Sequence, residues 1–410
     1  MESVDEFQRR ARTWIEENVP RAGDDGGVMS ETRVRRAQAL QQAIYDAGFG
    51  AITWPKQYGG QELSVGHMHA FAEELRGFQN PYHTLSVSLG VIGPTILERG
   101  TEQQKAAHLP PLLRGDTLWV QFLSEPSGGS DMAGILTTAT PDGDVWVLNG
   151  AKVWTTFGHY ATNALCLART DWDVPKHRGL SMFIIDIPAP GLTVLPLKQV
   201  SGAAEFCQEF LDNVTLPADH LLGEPNEGWS IAQELLQHER RALGGGSDYF
   251  TAGGTASGTA GESVGAQAAE LARRSGRAGD LTARQQVAEM HVLDTIGAQL
   301  AERVATGMRA GRMPGTAGSL LKLFTATTHL RRSEVTLELA GPSTVAWSPG
   351  DDQARAYAMG WLGRQGTAIM GGSNEIQRNI ISERVLGLPR EAAPDRDVPF
   401  REVRHNRART

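Results

Sequence analysis

Apolar positions recur with a helical period over the first part of the chain. Val4, Phe7, Ala11, Trp14 and Ile15 share one face, and Ala37, Leu40, Ile44 and Ala47 share another before Gly48. Thr101 followed by Gln104 makes a capping box, which marks a further helix start. Between these helices "WPKQYGG", residues 54–60, is a loop punctuated by Pro and Gly. Near Leu118 the period changes to that of strands. "LWVQFLS", "GILTTAT", "VWVLNG", "KVWTT", "ALCLART", "SMFIIDI" and "LTVLPL" are short and rich in Val, Ile, Thr and aromatics. Turn pairs Asp142-Gly143 and Asn149-Gly150 separate some of them.

After "NEGWS" the helical period returns through "IAQELLQHERRAL" and again, roughly, over 282–310, 317–340, 351–369 and 374–386. One helix is expected to stop at Ala340-Gly341-Pro342, where Gly takes the left-handed conformation and Pro cannot continue. These patterns predict an α+β multidomain chain: an N-terminal helical domain (1–117), a middle antiparallel β-barrel or sandwich domain (118–227) and a C-terminal helical bundle (228–390). Within the bundle, residues 244–262 are Gly/Ser/Thr-rich and read as a mobile loop, and 391–410 read as a loose tail. The order of elements is not the βαβ alternation of a Rossmann domain.

Charge and composition narrow the function. A net charge of -8 argues against nucleic acid as the main partner, and basic groups such as Arg33, Arg35 and Arg36 alternate with acidic residues as on a solvated helix face. The two cysteines, Cys166 and Cys207, form no metal-ligand or disulfide pattern, read as core residues and suit a reducing cytoplasm. The start lacks the apolar stretch of a signal peptide, and no segment approaches a membrane span, so a soluble cytoplasmic protein is expected.

Several motifs fail on chemistry. "GTASGTAG" follows no strand and lacks the Lys-Ser/Thr ending of a P-loop. His67 and His69, two apart, point to different sides of a helix, so no metal site is expected. There is no G-x-S-x-G elbow, and Ser130-Asp131 alone reads as turn chemistry. "IMGGSNEIQR", residues 369–378, joins two glycines to a helix start at Ser373 or Asn374; taken alone it is a loop between helices.

Taken together, "VQFLSEPSGGSDMAG", "NGAKVWTT", "IMGGSNEIQRNIISERVLGLPR", "WPKQYGG" and "LLGEPNEGW" span nearly the whole chain. In content and order they resemble the acyl-CoA dehydrogenase family of flavoproteins, whose helical domain, β domain and four-helix bundle match the periodicity. The resemblance implies FAD. It implies flavin or cofactor contacts from Gln121, Leu123, Ser124, Ser130, Trp154, Thr156, Gly341, Ser373 and Glu375, with Ser130 also a substrate contact. By residue type alone Trp154 reads instead as a core aromatic.

The implied reaction is α,β-dehydrogenation of an acyl-CoA thioester, with electrons leaving to an electron-transferring flavoprotein. Many members carry a catalytic Glu directly before the glycine of an "E-G-T" motif; here that position is Gly371, which still offers a backbone N–H to the thioester oxygen. Other members carry the base on the helix after the β domain, where Glu239 falls, and Arg240 beside it matches a position near the thioester and CoA. Without the resemblance Glu239 reads as an exposed helix carboxylate. His238 points elsewhere on the helix. The Arg-x-x-Phe-Gly segment of homotetrameric members is missing, with Arg274, Arg277 and Arg284 as possible substitutes. Assembly is expected as a homo-oligomer, dimer or tetramer, or as a heteromer with a related subunit. A flavin-dependent oxidase or monooxygenase and a catalytically degenerate partner subunit are the alternative functions.

Overall fold

The computed structural model describes residues 2–23, 30–244, 247–251, 263–348 and 350–403. Most of the glycine-rich stretch lies outside them. The chain divides into two compact units, residues 1–257 with 393–410, and residues 258–392.

The first unit begins with helices α1 (Val4–Asn18), α2 (Glu31–Asp46), α3 (Val65–Glu74), α4 (Tyr82–Val87), α5 (Gly93–Arg99) and α6 (Glu102–Arg114). The expected apolar face of α1 is the buried one: Phe7, Ala11 and Ile15 pack with Phe49 and Phe71, whose rings stack at 5.4 Å. The capping box forms, with Thr101 Oγ1 accepting from Gln104 N at 3.1 Å, and Gly115 ends α6 at φ 87°. A single π-helical turn, Ser88–Ile92, joins α4 to α5.

Eight strands follow: β1 (Trp119–Phe122), β2 (Thr138–Asp142), β3 (Val145–Thr156), β4 (Asn163–Arg169), β5 (Leu180–Asp186), β6 (Leu192–Leu197), β7 (Phe206–Pro217) and β8 (Leu221–Leu222). They form one sheet in the order β6-β7-β3-β2-β4-β5-β8, with β1 beside β4. The long ladders are antiparallel, while β1 runs parallel to β4. Strand β4 is buried along its whole length. Leu165 and Leu167 join the core shared with the helices, and Ala164, Cys166 and Ala168 face a second core inside the β domain. Cys166 and Cys207 are both buried thiols, as expected.

Two expectations are corrected. Asn149-Gly150 is not a turn: it lies inside the continuous strand β3, where the register with β7 shifts between Leu148 and Gly150. Thr137 lies so close that a Cβ on Gly150 would sit 2.4 Å from its hydroxyl, so the glycine serves a bulge. The Asp142-Gly143 turn does form, with Asp142 paired to Val145 across it. The end of the chain is not loose over residues 399–403. Phe400 is buried under the Arg169 guanidinium, 3.5 Å from its ring centre, and its N–H donates to Val174 O at 2.9 Å. Arg169 is itself fully buried and donates to the carbonyls of Ala133, Ile135 and Lys176, so the ring closes a site that would otherwise leave a cation against water and void.

Helix α7 (Gly228–Gly244) packs within the first unit. The second unit holds α8 (Val264–Arg274), α9 (Leu281–Arg309), α10 (Gly318–Ala340), α11 (Asp352–Gly363), α12 (Gly366–Ile369) and α13 (Asn374–Ile380). Its small core joins Ala268, Ala272, Ala283 and Met290 to Val335 and Leu339. Gly341 ends α10 as expected, at φ 80°. The 351–369 stretch is two helices, and α8 was not expected because its alanine-rich repeat follows the glycine-rich stretch and contains Gly265, whose missing side chain lets α8 meet the His291 backbone.

Replacing Phe400 with Ala is expected to lower the unfolding free energy by about 3–5 kcal/mol. Urea denaturation checks this, and a change below about 1 kcal/mol would show that residues 399–403 are not a structural clasp.

Candidate active site

On α7 the buried positions Ile231, Ala232, Leu235, His238 and Ala242 form one stripe. The helix starts close to the sheet, since a Cβ on Gly228 would sit 2.6 Å from the Ser181 backbone. Glu239 flanks the stripe and is half-buried rather than exposed. Its carboxylate Oε2 accepts from Gln121 Nε2, on β1, at 3.0 Å. The other amide atom, Gln121 Oε1, is buried without a hydrogen-bond partner among the described residues. His238 turns away from this pair and its Nε2 meets Glu98 Oε2 at 3.1 Å. Arg240 is exposed next to Glu239.

Beyond Gln121, the end of β1 is tied to β3. The Leu123 carbonyl accepts from Lys152 Nζ at 3.2 Å and the Ser124 carbonyl from Val153 N at 2.9 Å. The next residue of β3, Trp154, sits at a second bulge with φ 68°, a conformation unfavourable for an L residue. Its indole is 59% exposed, with the edge of Phe206 at 5.8 Å. It is therefore not a core aromatic. Thr156 is half-buried two residues on, and Ser130 is exposed on the loop after β1.

A buried charged network that the sequence reading missed supports the bulge. Lys152 is ion-paired to Glu125 at 2.9 Å, and Glu209 is its register partner across the β3–β7 ladder. Burial pushes the Glu125 carboxyl up, but the Lys152 charge and the Thr137 and Leu136 bonds outweigh it and leave it below its ordinary value. Glu209 is fully buried and accepts from Thr155 Oγ1 at 2.9 Å. Burial pushes its carboxyl up to about 7, against the Thr155 bond and the Lys152 charge. The signal was present in sequence: Lys152 and Glu209 are charged residues at positions that strand alternation turns inward.

In the second unit, Gly371 and Gly372 take φ 64° and 90°. Both carbonyls accept from Gln377 Nε2 at 3.2 Å, and a Cβ on Gly372 would clash with that amide at 2.6 Å. Ser373 caps α13 by accepting from Ile376 N, and Glu375 is exposed in its first turn. Gly341 has open space around it.

His67 is structural: its ring nitrogens meet Ser64 Oγ and Glu2 O, while His69 is exposed on the other side of α3. Among the described residues no helix is long and apolar enough to cross a membrane.

The first unit's residues fit a planar cofactor of the flavin type. They offer an exposed indole held on a strained bulge and an unpartnered buried amide oxygen on Gln121.

Sequence comparison agrees domain by domain. Family models described as acyl-CoA dehydrogenase N-terminal, middle and C-terminal domains match residues 1–116, 121–214 and 226–386. The acyl-CoA dehydrogenase IpdE1 of Mycobacterium tuberculosis is 34% identical over 413 residues, covering 96% of this chain and all of that one. The chain belongs to the acyl-CoA dehydrogenase family. It is accordingly an oxidoreductase. Among solved structures, the Tcur3481-Tcur3483 steroid ACAD shares the fold with a TM-score of 0.71 at 23% identity, over 95% of this chain and 99% of that one. The ChsE4-ChsE5 complex from Mycobacterium tuberculosis aligns with a TM-score of 0.70 at 25% identity, over 95% and 98%.

The Glu209 shift gives this acyl-CoA dehydrogenase a pH signature. Between about pH 4.5 and about 7 the folded carboxyl keeps a proton that the unfolded one has lost. The folded state then binds more protons, so stability falls as pH rises, by up to about 1.4 kcal/mol per unit. Denaturation of wild type and Glu209→Gln at pH 5 and pH 8 should show the variant gaining relative to wild type at pH 8. Parallel pH dependence in the two proteins would exclude a buried neutral Glu209.

Proposed function

We infer that this enzyme binds FAD and removes hydrogen from the α and β carbons of an acyl-CoA thioester, with Glu239 as the base. The observation carrying this is the Gln121 Nε2 to Glu239 Oε2 hydrogen bond at 3.0 Å, which ties a half-buried carboxylate to the strand bearing the flavin motif. FAD, when bound, supplies the acceptor for the β hydride. Gln121, Leu123, Ser124, Trp154, Thr156, Gly341, Ser373 and Glu375 are the residues assigned to its contacts. Ser130 is assigned to its pyrophosphate or to the substrate, and Arg240 to the thioester end of CoA.

The α proton of a thioester is too weakly acidic for an unaided carboxylate. Glu239 takes it as the bond to the α carbon breaks, and the negative charge moves onto the thioester oxygen. Donors aimed at that oxygen lower the barrier, and Gly371 N–H is assigned this role. The Gln121 amide keeps the carboxylate in one orientation while the proton moves, so that reacting atoms stay about 3–3.5 Å apart. An electron-transferring flavoprotein is the partner assigned to take up the electrons.

Gly371 and Gly372 put no side chains into their loop, and one structural relative is named a steroid ACAD. Both favour a bulky or branched acyl group. Another relative is named as a complex of two different chains, which favours a heteromer with a related subunit over a homo-oligomer.

Glu239→Gln should keep the yellow cofactor yet slow its anaerobic bleaching by acyl-CoA by about 10²–10⁴-fold. Bleaching at the wild-type rate would sink the assignment. Rapid reaction of the reduced wild-type flavin with air would instead identify an oxidase or monooxygenase. A colourless protein active only with a second chain would identify a degenerate partner subunit.

A further inference from the structure

Residues 247–251 pack into the helical core instead of running over the surface. Phe250 is only 4% exposed, and its ring meets Tyr82 edge-on at 5.4 Å. Tyr249 lies against Trp54, with ring centres 4.9 Å apart, and its carbonyl accepts from the Trp54 indole N–H at 3.2 Å. The Phe250 ring fills the place that a side chain on Gly90 would take: a Cβ there would sit 2.9 Å from the ring and 3.0 Å from the Ala242 methyl. Gly90 lies in the π turn Ser88–Ile92, whose Ser88 hydroxyl bonds both the N–H and the carbonyl of Trp119.

These contacts join the aromatic stretch to the Glu239 site on both sides. Ala242 is three residues beyond Glu239 on α7, a neighbouring position about 4.5 Å along the axis. Trp119 is two residues before Gln121 on β1, so the π turn and the amide holding Glu239 rest on the same strand. Phe250 therefore packs, with Ala242, over Gly90, less than one helical turn along α7 from Glu239. The same ring lines a cavity of about 40 Å³ together with Phe49, Ile52, Trp54, Met68 and Phe71.

We propose that Phe250, seated on Gly90 and anchored through Tyr249, is the end wall of the acyl chamber and the residue that sets how long an acyl chain the enzyme accepts. The assignment rests on the Glu239 reading. A long straight chain has to displace the ring, whereas a compact acyl group stops short of it. Removing the ring merges its space with that cavity, and each methylene then buried gains about fourfold in affinity.

The test is calorimetric binding of short, medium and long S-alkyl-CoA thioethers, which cannot be dehydrogenated, to the FAD-loaded wild type, Phe250→Ala and Phe250→Leu. In wild type, affinity should stop rising at a short or medium chain. In Phe250→Ala the long-to-short affinity ratio should increase about tenfold or more, and in Phe250→Leu by less. The leucine variant keeps an apolar fill and carries the test alone if the alanine variant does not fold. An unchanged ratio overturns the end wall while leaving the Glu239 reading intact. Failure of every thioether to bind wild type overturns both.

Discussion

A carboxylate can serve as a base beside an apolar substrate only if something other than water fixes its orientation. For the proposed base Glu239, on α7, one amide reaching over from β1, that of Gln121, meets that constraint. The distance between strand and helix is set on each side by packing. Strand β4, beside β1, is buried on both faces, so β1 cannot move without opening two cores. On the other side α7 meets the sheet through Gly228, where no side chain larger than hydrogen fits. The helix stripe then decides direction. With His238 turned inward to Glu98 and Ala242 buried, Glu239 is left on the flank that faces Gln121.

The same strand pair carries a second constraint. Trp154 has a backbone conformation that typically costs about 1–3 kcal/mol, and nothing about its largely exposed indole repays that through burial. The bulge is flanked by buried polar bonds: Lys152 paired to Glu125 on one side, and Thr155 bonded to Glu209 on the other. Buried ion pairs add little net stability, but they tolerate few alternative registers, because a one-residue slip would leave a charge without its partner. The network therefore fixes which residue of β3 is thrown outward, and the residue thrown outward is an aromatic.

How much of this could be read from the chain depended on whether local chemistry or tertiary contact decides. The stripes of α1 and α2, the Thr101 cap and the Gly341 stop are local, and each forms as its residues dictate. Asn149-Gly150 carries the same local signal as a hairpin turn, but ten residues of β7 pair along β3 and turn the glycine into a bulge. Phe400 sits in a charged, Pro-containing stretch that looks like a tail, and only a buried guanidinium far away in sequence gives its ring a place. Phe250 lies beside a glycine-rich stretch for the same reason: its partners Tyr82, Gly90 and Ala242 come from three separate elements. Family motifs led to Glu239 and Gln121 individually, yet the bond between them is a long-range fact that neither motif contains.

The proposed base also accounts for the conformation at residue 371. Two successive left-handed residues, Gly371 and Gly372, are held by one amide, Gln377, that bonds both carbonyls. An L residue at 371 would take that conformation at a cost of roughly 1–2 kcal/mol, and a side chain at 372 would strike the Gln377 amide. An acid at 371 is thus disfavoured by the loop itself, whereas the backbone N–H is unaffected by the loss of a side chain. Under the proposed assignment, proton removal falls to a residue on α7 and oxygen stabilisation to a backbone donor, which leaves the loop free to keep a geometry only glycine adopts easily. The proposed acid then stands on a helix braced by the β domain, and next along α7 comes Ala242, which with Phe250 packs over Gly90.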